Sequence, residues 1–591
     1  SLITPSPTSH QSLPPPSQTD MEVAVARPQR WDQPFGDGLR EVDVDHLLEV
    51  EPFCRIDPTA FPPTLPLRDL LRNDARLMLC NPGDLVVREG DYGHSAFIIL
   101  RGRVRVMVAG LAGELLAPAP PAPRSWLATI TDVWRRPRLP EVRDSAGVTP
   151  GDLRLRSGPG GNGALPRVFV QDVPRLLEGA ESVVLEAGEM FGELAALTRS
   201  QRTATVIAED DAVLLEIRWQ GLRDLMRRTD ALRLHVERLY RENSLRVHLR
   251  ETPLLAELTP QQLERVAEAT VFETHGDFDW QSGYQAAVER RPGDAIIDEP
   301  LIVEEGLPCD GLLLVRSGFA RQSRRYGAGH LTSAYLGRGK AFGLAEALAA
   351  ASGRPAVWHS SLRALGYVDV LRVPIAALAQ WVLPFVPANK VEALAAEERQ
   401  AIRARGPQDE APGVEQGLLE FLVERRLING QEAMLIDLDR CTRCDDCVRA
   451  CAATHDNNPR FVRQGVRHGP LMAANACMHC VDPVCMIGCP TAAIHRDAAT
   501  GVVRIDDPTC IGCATCANSC PYENIRMVEI RDRRGHTLTD EQTGLPLAKA
   551  TKCDLCLDLP GGPACQRACP HDALVRLDLG NLGELSRWTA R

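Results

Sequence analysis

Sixteen of the chain's nineteen cysteines fall between residues 441 and 569, in four sets of four. The sets are Cys441, Cys444, Cys447 and Cys451; Cys477, Cys480, Cys485 and Cys489; Cys510, Cys513, Cys516 and Cys520; and Cys553, Cys556, Cys565 and Cys569. The first and third read C-x2-C-x2-C-x3-C; the second and fourth keep the opening C-x2-C and the closing C-x3-C around a wider gap. Pro490, Pro521 and Pro570 follow three of the closing cysteines, and Ala452 follows the other. A cubane iron–sulfur cluster takes one soft thiolate per iron, and C-x2-C-x2-C wraps three of them around one cluster. Proline after the fourth cysteine fixes φ and turns the chain away. Zinc sites instead use two C-x2-C pairs held further apart, and disulfides need an oxidising compartment. Sixteen ligands at four per cluster imply four [4Fe–4S] clusters. Cys54, Cys80 and Cys309 are scattered and read as small buried hydrophobes.

The elements that must position these ligands occupy a chain of 591 residues, long enough for about three or four domains. Apolar content of 44% and charged content of 25% are those of a globular protein. A net charge of -11 argues against a general nucleic-acid binder. No apolar run approaches a membrane span, so no direct membrane insertion is expected. Residues 1–45 begin with a Ser-, Thr- and Pro-rich stretch and read as a disordered tail, not a signal peptide. The expected compartment is the cytoplasm, where clustered cysteines bind metal.

Residues 46–250 form a strand-rich unit with Gly-centred turns, interrupted by an insertion at about 110–180. Gly158, Gly160 and Gly163 in that insertion match G-x-G-x-x-G, but Pro159 and Pro166 put them in a loop without the flanking strand and helix a dinucleotide site needs. A second unit spans 251–405; Thr259 is its helix N-cap, with Pro260 at the first helical position. A linker and helix occupy 406–433, the helix stopped by Asn429-Gly430, and the cysteine region runs from 434 to 591. In the first unit, the short helix opened by FGELAAL offers backbone N–H groups to an anion. Arg202 offers a guanidinium to a phosphate, and Glu193 can accept from a sugar hydroxyl.

DLDRCTRCDDCVRAC, ACMHCVDPVCMIGCPTAAI, GVVRIDDPTCIGCATCANSCPY and KCDLCLDLPGGPACQRACP resemble the four-cluster ferredoxin subunits of the dimethyl sulfoxide reductase beta-subunit family. The resemblance covers about 140 residues. It implies crossed ligation: Cys441, Cys444 and Cys447 with Cys569; Cys553, Cys556 and Cys565 with Cys451; Cys477, Cys480 and Cys485 with Cys520; and Cys510, Cys513 and Cys516 with Cys489. EAGEMFGELAALTRSQRTATVIAEDDAVLLEI resembles the phosphate-binding cassette of cyclic nucleotide-binding domains. That implies Glu193 on the ribose 2′-hydroxyl, Arg202 on the cyclic phosphate, and backbone contacts from Gly192, Leu194 and Ala195. Thr203 leaves cAMP and cGMP both open. In the second unit AFGLAEALAAASGRP matches the cassette loosely, with Leu344 in place of the glutamate and Trp358 in place of the arginine. A phosphate there would lack its cation.

The expected fold is multidomain α+β: two β-roll cyclic nucleotide-binding-like domains, the second degenerate, then a double, four-cluster bacterial ferredoxin-like domain. No carboxylate pair, Ser/His arrangement or flavin motif accompanies the cysteines. The expected function is a non-catalytic electron-transfer subunit serving a catalytic redox partner (a hydrogenase, a molybdopterin enzyme or a flavoprotein) and a second electron donor or acceptor. A cyclic-nucleotide and redox sensor without a catalytic partner is the alternative. His479, between two ligands, is a candidate to hydrogen-bond a cluster or simply to pack beside it. Arg460, Arg463 and Arg467 are candidates to offset cluster charge or to form a solvated basic face.

Overall fold

The computed structural model describes residues 22–108, 181–403 and 415–589, less short stretches at 33, 37–38, 194, 196–200, 231, 237, 239–244, 246–248, 250–251, 278–279, 281–282, 285–294, 328, 456, 499, 533, 558 and 560. The expected 110–180 insertion, its glycine loop and the whole 406–413 linker region fall outside the described residues.

In the first unit, strands rich in branched residues build two four-stranded antiparallel sheets. One runs in the order Ala75–Cys80, Ala212–Arg218, Ser95–Arg101, Met190–Phe191; the other Leu85–Val87, Ala204–Ala208, Val104–Val108, Glu181–Leu185. Side chains alternate along a strand, and Ser95–Arg101 buries both of its faces. Phe97 and Ile99 join the core between the sheets with Val104, Val206 and Leu214. Ala96 and Ile98 face a second core built with helices Leu67–Asp74 and Trp219–Arg228.

The expected tail is shorter than 1–45, because the described residues from 22 to 45 are built into the fold. Glu22–Val25 pairs parallel with Thr537–Asp540 of the cysteine region, and Val23 and Val25 pack on Ile530, Leu538 and Leu547. Arg30 reaches the buried carboxylate of Asp74 at 2.6 Å, and helix Glu41–Glu49 contributes Val44 and Leu47 to the core. A four-residue strand whose partner lies some 500 residues away leaves no periodic signal to read.

The second unit has one large antiparallel sheet, ordered Val271–Gly276, Ser361–Pro374, Gly311–Tyr326, Gly329–Leu336, with Leu301–Val303 and Ala341–Phe342 pairing at its sides. Thr259 caps helix Pro260–Ala269 in a reciprocal box with Gln262. Helix Gln416–Glu424 ends earlier than Asn429-Gly430 would require, because Arg426 turns left-handed at φ 51°. Leu418, Leu419, Leu422 and Val423 of that helix share a core with Leu365 of the second unit and with Ala433, Leu435 and Trp588 of the cysteine region.

Strand pairing in the cysteine region joins the ends of separate cysteine sets. Ala433–Asp437, just before Cys441, pairs with Leu574–Leu577, just after Cys569. Ile494–Arg496 pairs with Val503–Ile505, so Cys489 and Cys510 leave the same hairpin. Val462–His468 with Leu471–Asn475 links the exit of Cys451 to Cys477, and Arg526–Glu529 with Ala548–Thr551 links Cys520 to Cys553. Among the described residues no helix is long and apolar enough to cross a membrane.

Candidate metal centres and a candidate nucleotide site

The residue just before the second cysteine of each set has left-handed backbone: Arg443 (φ 63°), His479 (φ 48°), Gly512 (φ 70°) and Leu555 (φ 58°). Alternation into the left-handed region turns successive N–H groups to one side and makes a concavity for an anion. Short helical turns follow: Asp446–Thr454 carries Cys447 and Cys451, and Thr515–Ser519 carries Cys516. Val484–Met486 carries Cys485 and Ala564–Arg567 carries Cys565.

These turns gather thiols from different sets. Cys441, Cys444, Cys447 and Cys569 line one cavity, with Arg463 at its wall. Cys477, Cys480, Cys485 and Cys520 line another, with Tyr522 and Asn524. Cys489, Cys510, Cys513 and Cys516 line a third. Cys451 faces Cys553, Cys565 and Cys556. Burial pushes the Cys451 and Cys516 thiols up to about 12. Buried thiols so reluctant to ionise alone require a cationic group to bind as thiolates. Backbone N–H groups favour the charged form: Arg460 donates to Cys451 Sγ at 3.2 Å, Asn524 to Cys520 at 3.4 Å and Ala573 to Cys569 at 3.4 Å. Four soft donors around one space, backed by N–H donors, fit an iron–sulfur cubane.

His479 is buried, and its Nδ1 accepts the Val503 N–H at 3.1 Å, which leaves the ring proton on Nε2. Burial holds the imidazole well below its ordinary pKa, so it is neutral. Arg463 donates to Asp445 at 2.7 Å beside the first cavity, whereas Arg467 is exposed. Sequence reasoning missed three cations. Arg496 is almost wholly buried and donates to the carbonyls of Cys480, Val481 (2.7 Å) and Gly501 (2.8 Å). Lys552 donates to the carbonyls of Val503 and Cys553, and Arg576 touches two cysteine sets. It also missed His455, which lies 3.6 Å from Cys556 Sγ and 3.5 Å from Asp554. No spacing rule marks these residues, which sit on or beside strands and cysteine turns. Cys80 and Cys309 are buried as expected; Cys54 is exposed, a correction, because it sits in a short surface turn.

In the first unit, Gly192 has φ 78° at the mouth of the FGE turn. Arg202 is buried; its Nη1 donates to Gly192 O at 2.6 Å and its Nη2 to Ser95 O at 2.8 Å, and it lies over the Phe97 ring. Glu193 is 3% exposed, and burial pushes its carboxyl up to about 7 against the pull of Arg202. Ala195 is buried and Thr203 half-buried, while Leu194 lies outside the described residues. The second unit repeats the turn with a different filling. A Cβ on Gly192 would meet Arg202 Nη1 at 2.5 Å, and a Cβ on Gly343 (φ 76°) would meet Trp358 Cζ3 at 2.1 Å. Trp358 packs on Phe342, 5.4 Å between ring centroids, in the place the guanidinium takes beside Phe97 in the first unit.

The first unit touches the cysteine region beside this site. Tyr92 N–H donates to Ala498 O at 3.0 Å, and the Tyr92 ring lies 4.7 Å from the Arg496 guanidinium. His94 Nε2 donates to Arg496 O at 2.6 Å.

Residues 470–578 match the 4Fe-4S dicluster domain family, and residues 175–229 match the cyclic nucleotide-binding domain family. Electron transport protein HydN of Escherichia coli is 34% identical over 166 residues, 26% of this chain and 91% of that protein. The thiosulfate reductase electron transfer subunit PhsB of Salmonella typhi is 35% identical over 181 residues, 28% of this chain and 84% of that protein. The solved regulatory domain of Toxoplasma gondii PKA with cAMP is 16% identical, covering 61% of this chain and 98% of that one at a TM-score of 0.20. The chain belongs to the 4Fe-4S dicluster family of iron–sulfur electron-transfer proteins that includes HydN and PhsB. It joins that ferredoxin-like domain to a cyclic nucleotide-binding fold.

Proposed function

We propose that the chain is a non-catalytic electron-transfer subunit holding four [4Fe–4S] clusters and serving a catalytic oxidoreductase subunit at one end and a second donor or acceptor at the other. One observation carries the reading: four thiol sets gather four at a time, each completed by the closing cysteine of another set. The bound clusters would supply one-electron chemistry. The chain's own part is to hold the thiols, exclude water and surround them with N–H donors. The relative PhsB is an electron transfer subunit of thiosulfate reductase, and the Aromatoleum evansii relative is subunit beta of an NADH-dependent phenylglyoxylate dehydrogenase, which supports a catalytic partner here. The catalytic partner here is of the hydrogenase, molybdopterin or flavoprotein class, and the compartment is the cytoplasm. Anaerobically purified full-length protein should be brown, carry about sixteen irons per chain at four per cubane, and retain a redox subunit through gentle purification. Colourless protein containing zinc would overturn the reading.

The domain reading follows: 46–250 and 251–405 as cyclic nucleotide-binding-like units, the second degenerate, and 434–591 as the four-cluster domain. In the first unit cAMP or cGMP is the ligand, with its phosphate on Arg202 and its ribose on Glu193. Trp358 in the equivalent place gives the second unit no cation for a phosphate. Gating by nucleotide, the shared element of this reading and of the sensor alternative, is supported by a specific contact path. Arg202 holds Ser95 O and exchanges backbone bonds with Gly90 and Asp91; the next residue, Tyr92, packs on Arg496; and Arg496 holds the carbonyl of Cys480. Calorimetry on the full chain should give heat with cAMP or cGMP. Arg202→Ala should weaken binding by roughly tenfold to a hundredfold, the loss of a charge-assisted hydrogen bond. No heat from either nucleotide with the wild-type protein would remove gating.

A further inference from the structure

Arg576 lies on strand Leu574–Leu577, after the last cysteine set. Its Nη2 donates to Cys553 Sγ at 3.1 Å, and its Nη1 to Cys477 O at 3.0 Å and Glu432 O at 2.7 Å. The residue is half-buried, with its Nε sealed from solvent. A guanidinium stays charged at any ordinary pH. One cation thus bonds a ligand sulfur of the fourth cysteine set and the backbone of a ligand in the second. Strand pairing of Leu574–Leu577 with Ala433–Asp437 fixes it there, because Arg576 is registered opposite Met434.

We propose that Arg576 is a positioning residue that sets the reduction potential at the Cys451, Cys553, Cys556 and Cys565 site, through its charge and its N–H···S bond, and ties that site to the Cys477 site. Each reduction adds one electron and one negative charge beside the guanidinium, with no bond or proton transferred at Arg576. Positive charge and N–H donation to sulfur both favour the reduced form and raise the potential. His455 Nε2 also approaches this site, 3.6 Å from Cys556 Sγ. The N–H···S bond is made to Cys553 and only a backbone bond to Cys477, so the larger effect falls on the Cys553 site and a smaller one on the Cys477 site.

The inference rests on the reading that these cysteines hold a cluster. The test is a potentiometric titration of full-length protein with dithionite as electron source, followed by paramagnetic resonance, on wild type, Arg576→Met and Arg576→Lys. Loss of a signal in Cys451→Ser marks the site in question. Arg576→Met should lower the ratio of reduced to oxidised form for that signal at least about tenfold at fixed potential, about 59 mV for a one-electron couple, with a smaller shift at the Cys477 site and the signals of the other two sites unmoved. Arg576→Lys keeps the charge but loses the two-pronged grip, and should shift the same signal by a smaller factor in the same direction. An iron-replete Arg576→Met protein with every signal unmoved overturns the inference alone. If Arg576→Met loses iron, the lysine variant decides; loss of iron from both makes Arg576 a folding residue and also overturns it. Wild-type protein without iron overturns the cluster reading itself.

Discussion

Serine in place of Cys569 should strip the site formed by Cys441, Cys444 and Cys447, not the site of the cysteines just before it in the chain. Iron should fall by about four of sixteen per chain, or by about one if a three-iron cluster survives. One resonance signal should disappear or change type. Cys565→Ser, only four residues away, should remove a different signal. The same signal lost from both variants would show that a set keeps its own fourth cysteine and would sink the crossed arrangement. Cys451→Ser should match Cys565→Ser, because Cys451 faces Cys553, Cys565 and Cys556.

The physical basis is the three-residue gap. Four residues of helix advance about 6 Å along the axis and return to the same face. Cys447 and Cys451 lie on one helix, Asp446–Thr454, so their thiols stand one turn apart and serve two neighbouring spaces. Cys565 lies on Ala564–Arg567 and Cys569 just beyond its end, beside strand Leu574–Leu577. That strand pairs with Ala433–Asp437, which delivers Cys441. The hairpin of Ile494–Arg496 and Val503–Ile505 does the same for Cys489 and Cys510.

The cysteine turns were legible in the sequence because their spacing is local: C-x2-C fixes a turn whatever surrounds it, and the structure gathers those thiols in fours. The FGE turn with Arg202, and its counterpart with Leu344 and Trp358, were legible for the same reason. Strand Glu22–Val25 was not, because the strand it pairs with, Thr537–Asp540, lies at the far end of the chain. Nor were Arg496 and Arg576, whose meaning comes from what the fold sets beside them. An arginine in VRLDLG reads as an exposed strand position, and only the register with Ala433–Asp437 turns it toward Cys553. The stop of helix Gln416–Glu424 was misread from Asn429-Gly430. Arg426 is held left-handed where its guanidinium packs on Trp280 and Tyr284, 4.6 and 5.0 Å from the ring centroids, a tertiary contact that overrides local turn chemistry.

Asp74→Asn should destabilise the first unit by about 3–5 kcal/mol, the usual cost of removing one partner from a buried ion pair. Asp74 is fully buried. It takes Arg218 at 2.5 Å and Arg30 at 2.6 Å, and Arg30 also reaches Asp224 at 3.2 Å. Arg30 therefore keeps an anion in the variant, and Arg218 is left as the stranded charge. Asparagine nearly preserves the shape, so the loss reads charge more than cavity. Adding Arg218→Met should recover part of it by removing the stranded cation. The recovery should be incomplete, because Arg218 Nη1 also donates to Thr491 O at 3.1 Å, two residues past Cys489. Hydrogen exchange in urea, read on residues 67–80 and 212–228, measures the first unit apart from the rest. Protection within about 1 kcal/mol of wild type in Asp74→Asn would mean that water or Asp224 neutralises Arg218 instead. The double variant should also raise exchange at residues 487–491, since the same arginine that is neutralised by Asp74 fastens this unit to the cysteine region.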